Sequence, residues 1–251
     1  MNIDISALLE DWHYNRPGEL VVRKIIGNDG LPKIQMRVDL GLLQMEWTAR
    51  PDGKTPHGKP SLLDYYLDSI DEQTVEHGSD AHVRFSHDEC EILQMESLQY
   101  YYRRISFFQL EAYDEALGDA EHNLQIMDLV RKYAEDENDR MAFEQYRPFV
   151  LMHRTRAQGL IRAQCQDIPG ALRKIEEGIE DIEAFFQRYD QTDLIEKSQE
   201  LKVLRDMAEK FKEKQPKSPE ESLQEELQEA IETEDFERAA EIRDELKSLL
   251  H

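Results

Sequence analysis

The sequence predicts a mainly α-helical protein with a small β-hairpin region at its N-terminus and a two-helix hairpin at its C-terminus. Three observations predict this fold class. Apolar residues recur at helical spacing over most of residues 61–211. Apolar and polar residues alternate over residues 33–39, as in a half-buried strand. A polar stretch with two prolines, residues 212–219, separates residues 220–251 from the rest of the chain.

The N-terminal region, residues 1–60, is predicted to contain strands. Residues 19–26 are rich in β-branched side chains, and the Gly-Asn-Asp-Gly sequence at 27–30 favours a turn. Together with the alternating residues that follow, they predict a β-hairpin. Residues 40–47 either extend the second strand or form a third. A loop rich in proline and glycine then ends the region.

The helical domain is predicted to span residues 61–211. Ser61 is a favourable N-cap, and the apolar residues after it fall on one helical face. Apolar periodicity predicts five further helices, at 90–109, 113–133, about 141–164, 168–189 and about 194–211.

Two of these helices begin alike, with Tyr-Asp-Glu-Ala-Leu at 113–117 and Ile-Pro-Gly-Ala-Leu at 168–172. This start resembles the second helix of a tetratricopeptide repeat, with Ala116 and Ala171 as its small residue. In that register Gly159 matches the small residue of the preceding helix, whereas Arg104 departs from it. The resemblance implies helical hairpins with a concave, partner-binding face. The two starts lie farther apart than one regular repeat, so an ordinary helical bundle remains the alternative.

Acidic residues outnumber basic ones, 54 to 31, and give a formal net charge of −23. Residues 1–60 hold eight of each sign, so the excess belongs to the helical domain and the C-terminal segment. This balance disfavours non-specific nucleic acid binding and docking on an anionic membrane. The charge therefore favours protein partners.

The two cysteines, Cys90 and Cys165, form no CxxC pair and no disulfide framework, which is typical of a reducing compartment. The N-terminus lacks the basic region of a signal peptide, and no apolar run is long enough to cross a membrane. We therefore expect a cytoplasmic protein. No cofactor is predicted.

Positive charge concentrates on two of the predicted helices. One interpretation is a groove that receives an acidic peptide or a phosphate. Its arginines would be Arg104, Arg147, Arg154 and Arg156. The other interpretation, which we favour, is pairing within the domain to acids such as Glu111, Glu115 and Glu144.

A histidine-rich stretch, His77 to Cys90, contains residue types that bind zinc. The spacings between His77, His82, His87 and Cys90 match no common zinc finger. We interpret the stretch as a solvated loop leading into a helix, and no metal site is predicted.

The C-terminal segment, residues 220–251, is predicted to form two short helices. Ser218 as N-cap, Pro219 at the first helical position and Glu221 after it make a strong helix start. Asp235 is placed to cap the second helix. Each helix carries an apolar stripe, so the pair is predicted to be antiparallel.

The sequence Asp-Phe-Glu-Arg-Ala-Ala-Glu-Ile-Arg-Asp at 235–244 is similar to the most typical stretch of the UVR motif. That motif occurs in the bacterial excision-repair proteins UvrB and UvrC and in some Clp-type chaperones and their adaptors. The resemblance implies a hairpin that pairs with another hairpin in a four-helix bundle. The residues expected to contact the partner are Leu223, Leu227, Ile231, Phe236, Ala239, Ala240, Arg243 and Leu246. Alternatively, the hairpin folds back on its own helical domain.

These features predict a bacterial interaction or adaptor protein that is not an enzyme and that binds a protein partner or a second copy through the hairpin. Catalytic motifs are missing: the Gly-Lys-Thr at 53–55 has Thr48 where a phosphate loop needs glycine, and Pro56 follows it. No GxSxG pattern occurs. The alternative is an accessory factor of nucleotide excision DNA repair that could bind a metal.

Overall fold

The computed structural model describes residues 4–10, 12, 14, 19–213, 219–233 and 235–249. The middle of the predicted linker, residues 214–218 with the predicted cap Ser218, lies outside the described residues. The chain divides into two compact units, residues 1–208 and 209–251. The mainly helical fold class is confirmed, whereas the finer division at residues 60, 211 and 219 stays a prediction.

The N-terminal strands form a three-stranded antiparallel sheet in the order β1-β2-β3, preceded by a short helix α1. The elements are α1 Ser6–Leu9, β1 Val22–Ile26, β2 Pro32–Val38 and β3 Gly41–Glu46. Val22 pairs with Met36, and Val38 pairs with Gly41. Residues 41–46 therefore form a third strand rather than an extension of the second.

The remaining elements are helical. They are α2 Leu62–His77, α3 His87–Gln109, α4 Tyr113–Tyr133, α5 Glu137–Glu144, α6 Arg147–Gln164, α7 Ile168–Arg188, α8 Gln199–Lys212, α9 Pro219–Glu232 and α10 Phe236–Leu249. The predicted cap at Ser61 is confirmed, because its side chain accepts a hydrogen bond from the Asp64 amide. None of the described helices is long and apolar enough to cross a membrane.

Two of the predicted helices were wrong in their extent. The helix expected at 141–164 is split into α5 and α6 at Gln145–Tyr146. Pro148 lies in the first turn of α6, where its missing amide hydrogen costs no helical hydrogen bond. In the interior of one continuous helix it would remove such a bond, so the chain starts a new helix here. The helix expected at 194–211 is a 3₁₀ turn at Thr192–Lys197 followed by α8.

Within the first unit, α3 packs on α4, α4 on α6, and α6 on α7. Ala116 and Ala171 are completely buried, as small residues at close helix contacts must be. The tetratricopeptide resemblance itself stays a prediction. The sheet packs on α3, α4 and α6 through a shared core that contains Ile34, Met36, Phe107, Ala116 and Ala157. This packing places the sheet beside α3 and α6.

Candidate functional site

The C-terminal hairpin is closed by hydrogen bonds around a short connection. Asp235 caps α10, because its Oδ1 accepts a hydrogen bond from the Arg238 amide over 3.1 Å. The Asp235 amide donates to the Ala230 carbonyl over 2.8 Å, and the Thr233 hydroxyl donates to the same oxygen. The predicted cap at Asp235 is thus in place, and it ties the start of α10 to the end of α9.

The hairpin has a small apolar seam of its own. Ile242 is 1% exposed, and Ala230 is also buried. The half-buried members of the predicted contact set are Leu223, Leu227, Ala239 and Leu246. Apolar area is therefore shared between the interior of the hairpin and its surface.

Two large apolar side chains of the hairpin face solvent. Phe236 is 70% exposed and Ile231 is 48% exposed, and they flank the connection between α9 and α10. Ala240 and Arg243, also in the predicted contact set, are exposed as well. The structure therefore leaves an aromatic and an aliphatic side chain uncovered at one end of the hairpin.

Ion pairs link exposed side chains of α9 and α10. The Arg238 guanidinium reaches Glu226 of α9 and Glu241 of α10, each over 3.2 Å. The hydrogen bond with Glu241 and that with Glu226 raise the pKa of Arg238. Arg243 is different, because it pairs with no acid among the described residues. Its charge remains available to an acid on a partner.

The four arginines of the predicted basic groove lie in different surroundings. Arg147 is buried and donates from Nε to Glu144 over 2.8 Å, and Arg154 pairs with Asp181. Arg104 is 1% exposed and donates from Nε to Nδ1 of His153. Arg156 is half-buried over the Phe108 ring, 4.8 Å from its centroid.

Of these four, only Arg156 lines a cleft between the sheet and helices α3 and α6. The cleft has a volume of about 440 Å³. His153 also lines the cleft, one helical turn before Arg156; the sequence grouped it with these arginines but did not count it among the groove residues. That spacing was the available signal, but nothing in the sequence places α6 against the sheet.

The histidine-rich stretch is divided among several contacts. His87 lies 2.7 Å from Asp139, and the rings of His77 and His82 meet edge to face. Cys90 is buried, and burial raises the pKa of its thiol to about 12. Over the part of the chain that the structure describes, no three histidine, cysteine or acidic side chains gather as a metal site requires.

Comparison with known families identifies the hairpin. Residues 221–250 match the family model of the UvrB/uvrC motif, known as UVR. The match covers α9 and α10 and leaves the first 220 residues unassigned. No curated protein and no solved structure matches the chain. The resemblance predicted from residues 235–244 is confirmed.

Proposed function

We propose that this chain is a bacterial interaction or adaptor protein without catalytic activity, whose UVR hairpin contacts another protein or a second copy. One observation carries the proposal: the segment that matches the motif is a closed hairpin that leaves Phe236 and Ile231 exposed. Aromatic side chains dominate the binding energy of protein interfaces, and an exposed phenylalanine at a hairpin end is a suitable anchor.

The size of the hairpin supports the same conclusion. Two helices of 14 residues each bury few side chains, and segments of this length rarely fold stably without further contacts. Pairing with a second hairpin would cover Phe236 and Ile231 and enlarge the apolar seam around Ile242.

Charge would select the partner. Residues 217–251 hold twelve acidic and four basic residues, so a partner surface with excess positive charge is favoured. A second copy would bring the same acidic surface, and its binding would strengthen as salt screens the repulsion. Salt dependence therefore separates the two kinds of partner.

A deletion experiment tests the proposal. The full chain and a chain ending at residue 216 are compared for captured partners and for molar mass in solution. We expect the shortened chain to lose a captured partner, or to show a decrease in molar mass greater than the mass of the deleted residues. Identical partners and identical oligomeric state would contradict the proposal.

A second candidate function is an accessory role in nucleotide excision repair, with or without a bound metal. The observation that favours it is the motif itself, which is named after UvrB and UvrC. This function predicts DNA binding that weakens as salt rises, or metal in the purified protein. This second function would be excluded if the protein bound no DNA at low salt, where electrostatic attraction is strongest, and contained no metal.

A further inference from the structure

The cleft between β2, α3 and α6 combines apolar walls with polar groups. Met36 and Val38 of β2 form one wall, and Ile105 and Phe108 of α3 form the other. His153 and Arg156 enter it from α6. Every described residue that lines the cleft belongs to the first compact unit.

His153 offers the cleft an N–H donor. Its Nδ1 accepts a hydrogen bond from Arg104 Nε over 3.0 Å, and a guanidinium can only donate. The neutral ring therefore carries its proton on Nε2. Nε2 makes no hydrogen bond to any described residue, although His153 is buried and lines the cleft.

Arg156 offers a positive charge without a carboxylate partner among the described residues. The nearby arginines differ: Arg103 pairs with Asp119, Arg147 with Glu144, and Arg154 with Asp181. Arg23 and Arg37 are also half-buried without a carboxylate partner, but each donates hydrogen bonds to protein oxygens, whereas Arg156 makes none to the described residues.

Two more charged groups line the cleft. Arg37, across from α6, donates to the carbonyls of Val38 and Gly41. Glu19 lies at the exposed rim and is the acid among the described lining residues. The charge of the lining is therefore positive, and it is complementary to an anion.

Aromatic rings continue from the cleft along the facing helices. The ring of His153 lies 4.3 Å from that of Phe149, which lies 6.0 Å from that of Tyr101. Phe149 and Tyr101 are only half-buried. This row extends beyond the cavity, so it suits an elongated ligand better than a compact one.

We propose that this cleft binds an acidic peptide segment of a partner protein. A carboxylate accepts hydrogen bonds from the Arg156 guanidinium and from Nε2 of His153, and a neighbouring apolar side chain packs on Phe108 and Ile105. The peptide then follows the row toward Phe149 and Tyr101. One guanidinium and one neutral N–H donor suit a carboxylate, which accepts two such bonds.

The test uses a fluorescein-labelled peptide of eight alternating phenylalanine and glutamate residues, with fluorescence anisotropy as the readout on the full chain. We expect Arg156→Gln to weaken binding at least tenfold. Arg173→Gln is the matched control, because Arg173 is an exposed arginine of α7 outside the cleft, and we expect it to bind as the wild type does. A peptide with glutamine for glutamate should bind at least tenfold more weakly.

Three results would overturn the proposal. The first is no peptide binding to the wild type at millimolar protein, and the second is equal weakening of peptide binding by Arg156→Gln and Arg173→Gln. The third is an affinity for free phenylacetate equal to that for the peptide, which would make the occupant a small organic acid. A measurement on the wild type guards against a misfolded variant. The Nε2–H resonance of His153 should shift when the peptide is added, and an unmoved resonance would contradict the proposal.

Discussion

Nε of Arg104 donates a hydrogen bond to Nδ1 of His153 across 3.0 Å, and this contact joins α3 to α6 inside the first compact unit. Both side chains are buried. A buried guanidinium needs acceptors, and here a neutral histidine supplies one. The contact therefore fixes both the protonation and the tautomer of His153.

His153 is expected to remain neutral well into the acidic range. Burial, and then the charges of Arg104 and Arg156, lower its pKa to about 3. A ¹⁵N NMR titration should show the Nε2–H tautomer and no protonation between pH 8 and pH 4. His87 is the internal control, because its hydrogen bond with Asp139 raises its pKa above the ordinary value. A His153 midpoint near that ordinary value would contradict the prediction.

The same pKa predicts a loss of stability in acid. The unfolded state binds a proton on this histidine below pH of about 6.5, whereas the folded state does not until about pH 3. Above pH of about 6.5 the protonation of His153 does not affect the free energy of unfolding. Between about pH 6.5 and pH 3 that free energy falls as pH falls, by at most about 1.4 kcal/mol per pH unit. In His153→Asn, whose amide oxygen can accept from Arg104, urea unfolding should show a smaller decline. An equal decline in both proteins would contradict this assignment.

The buried pair of Arg103 and Asp119 ties the sheet to the helices. Arg103 donates from Nε to Asp119 over 2.9 Å, and it also donates to the carbonyl of Glu46 at the end of β3 and to that of Ala49. Arg103→Gln leaves a buried carboxylate unpaired, so the free energy of unfolding should fall by about 3 kcal/mol or more. Arg154→Gln breaks a more exposed pair with Asp181 and should cost below about 1 kcal/mol. Urea unfolding measures both, and equal losses would refute the distinction.

Glu96 is a buried carboxylate that holds the start of α2. It accepts hydrogen bonds from the amides of Leu62 and Leu63, and His122 lies 3.1 Å away. Burial alone would raise its pKa, but the hydrogen bonds from His122 and the Leu62 amide outweigh burial and lower it. The ionised Glu96 side chain therefore stabilises the folded protein fully above the ordinary glutamate pKa. This stabilisation is lost as pH falls through the lowered pKa that Glu96 has in the folded protein.

Neutralising this carboxylate should be costly. Glu96→Gln is expected to lower the free energy of unfolding by about 2 kcal/mol at neutral pH, because one acceptor oxygen is lost in the interior. Glu91→Gln, on an exposed face of the same helix, is the control and should change little. Chemical denaturation of the two variants decides the matter, and matching midpoints would show that Glu96 is not a structural anchor.

Two glycines in helix interiors should respond in opposite directions to the same substitution. A Cβ on Gly178 of α7 would lie 1.9 Å from Oγ1 of Thr155, which is completely buried on α6. Gly178→Ala should therefore lower the free energy of unfolding by about 1–3 kcal/mol. Gly118→Ala meets no atom within 4 Å and should raise it by up to about 1 kcal/mol. A gain in both variants would show that α6 and α7 can move apart.

Local signals predicted much of the fold. The bounds of α4 follow from apolar periodicity, and the caps at Ser61 and Asp235 follow from side chains that accept backbone hydrogen bonds. The break before Arg147 was missed because the apolar pattern continues across it, although Pro148 marks it. The UVR hairpin was predicted because its residue types are distinctive over a short stretch.

The polar interior could not be predicted in the same way. His153 and Arg104 are 49 positions apart, and Arg103 meets Asp119 only after α4 turns back on α3. Such pairs depend on tertiary packing, which no periodicity encodes. The sequence therefore provided four candidate arginines, but only packing shows that Arg156 is the one of the four that lines the cleft.

The most direct test of the interaction function is photo-crosslinking at position 236. Phe236→p-benzoylphenylalanine keeps an aromatic ring at the exposed end of the hairpin, and the same residue at Val75, 85% exposed on α2, is the control. We predict that irradiation in cells yields one dominant adduct at position 236, either to a single partner or to a second copy, and none of comparable yield at position 75. Equal, non-specific adducts at both positions would contradict the account.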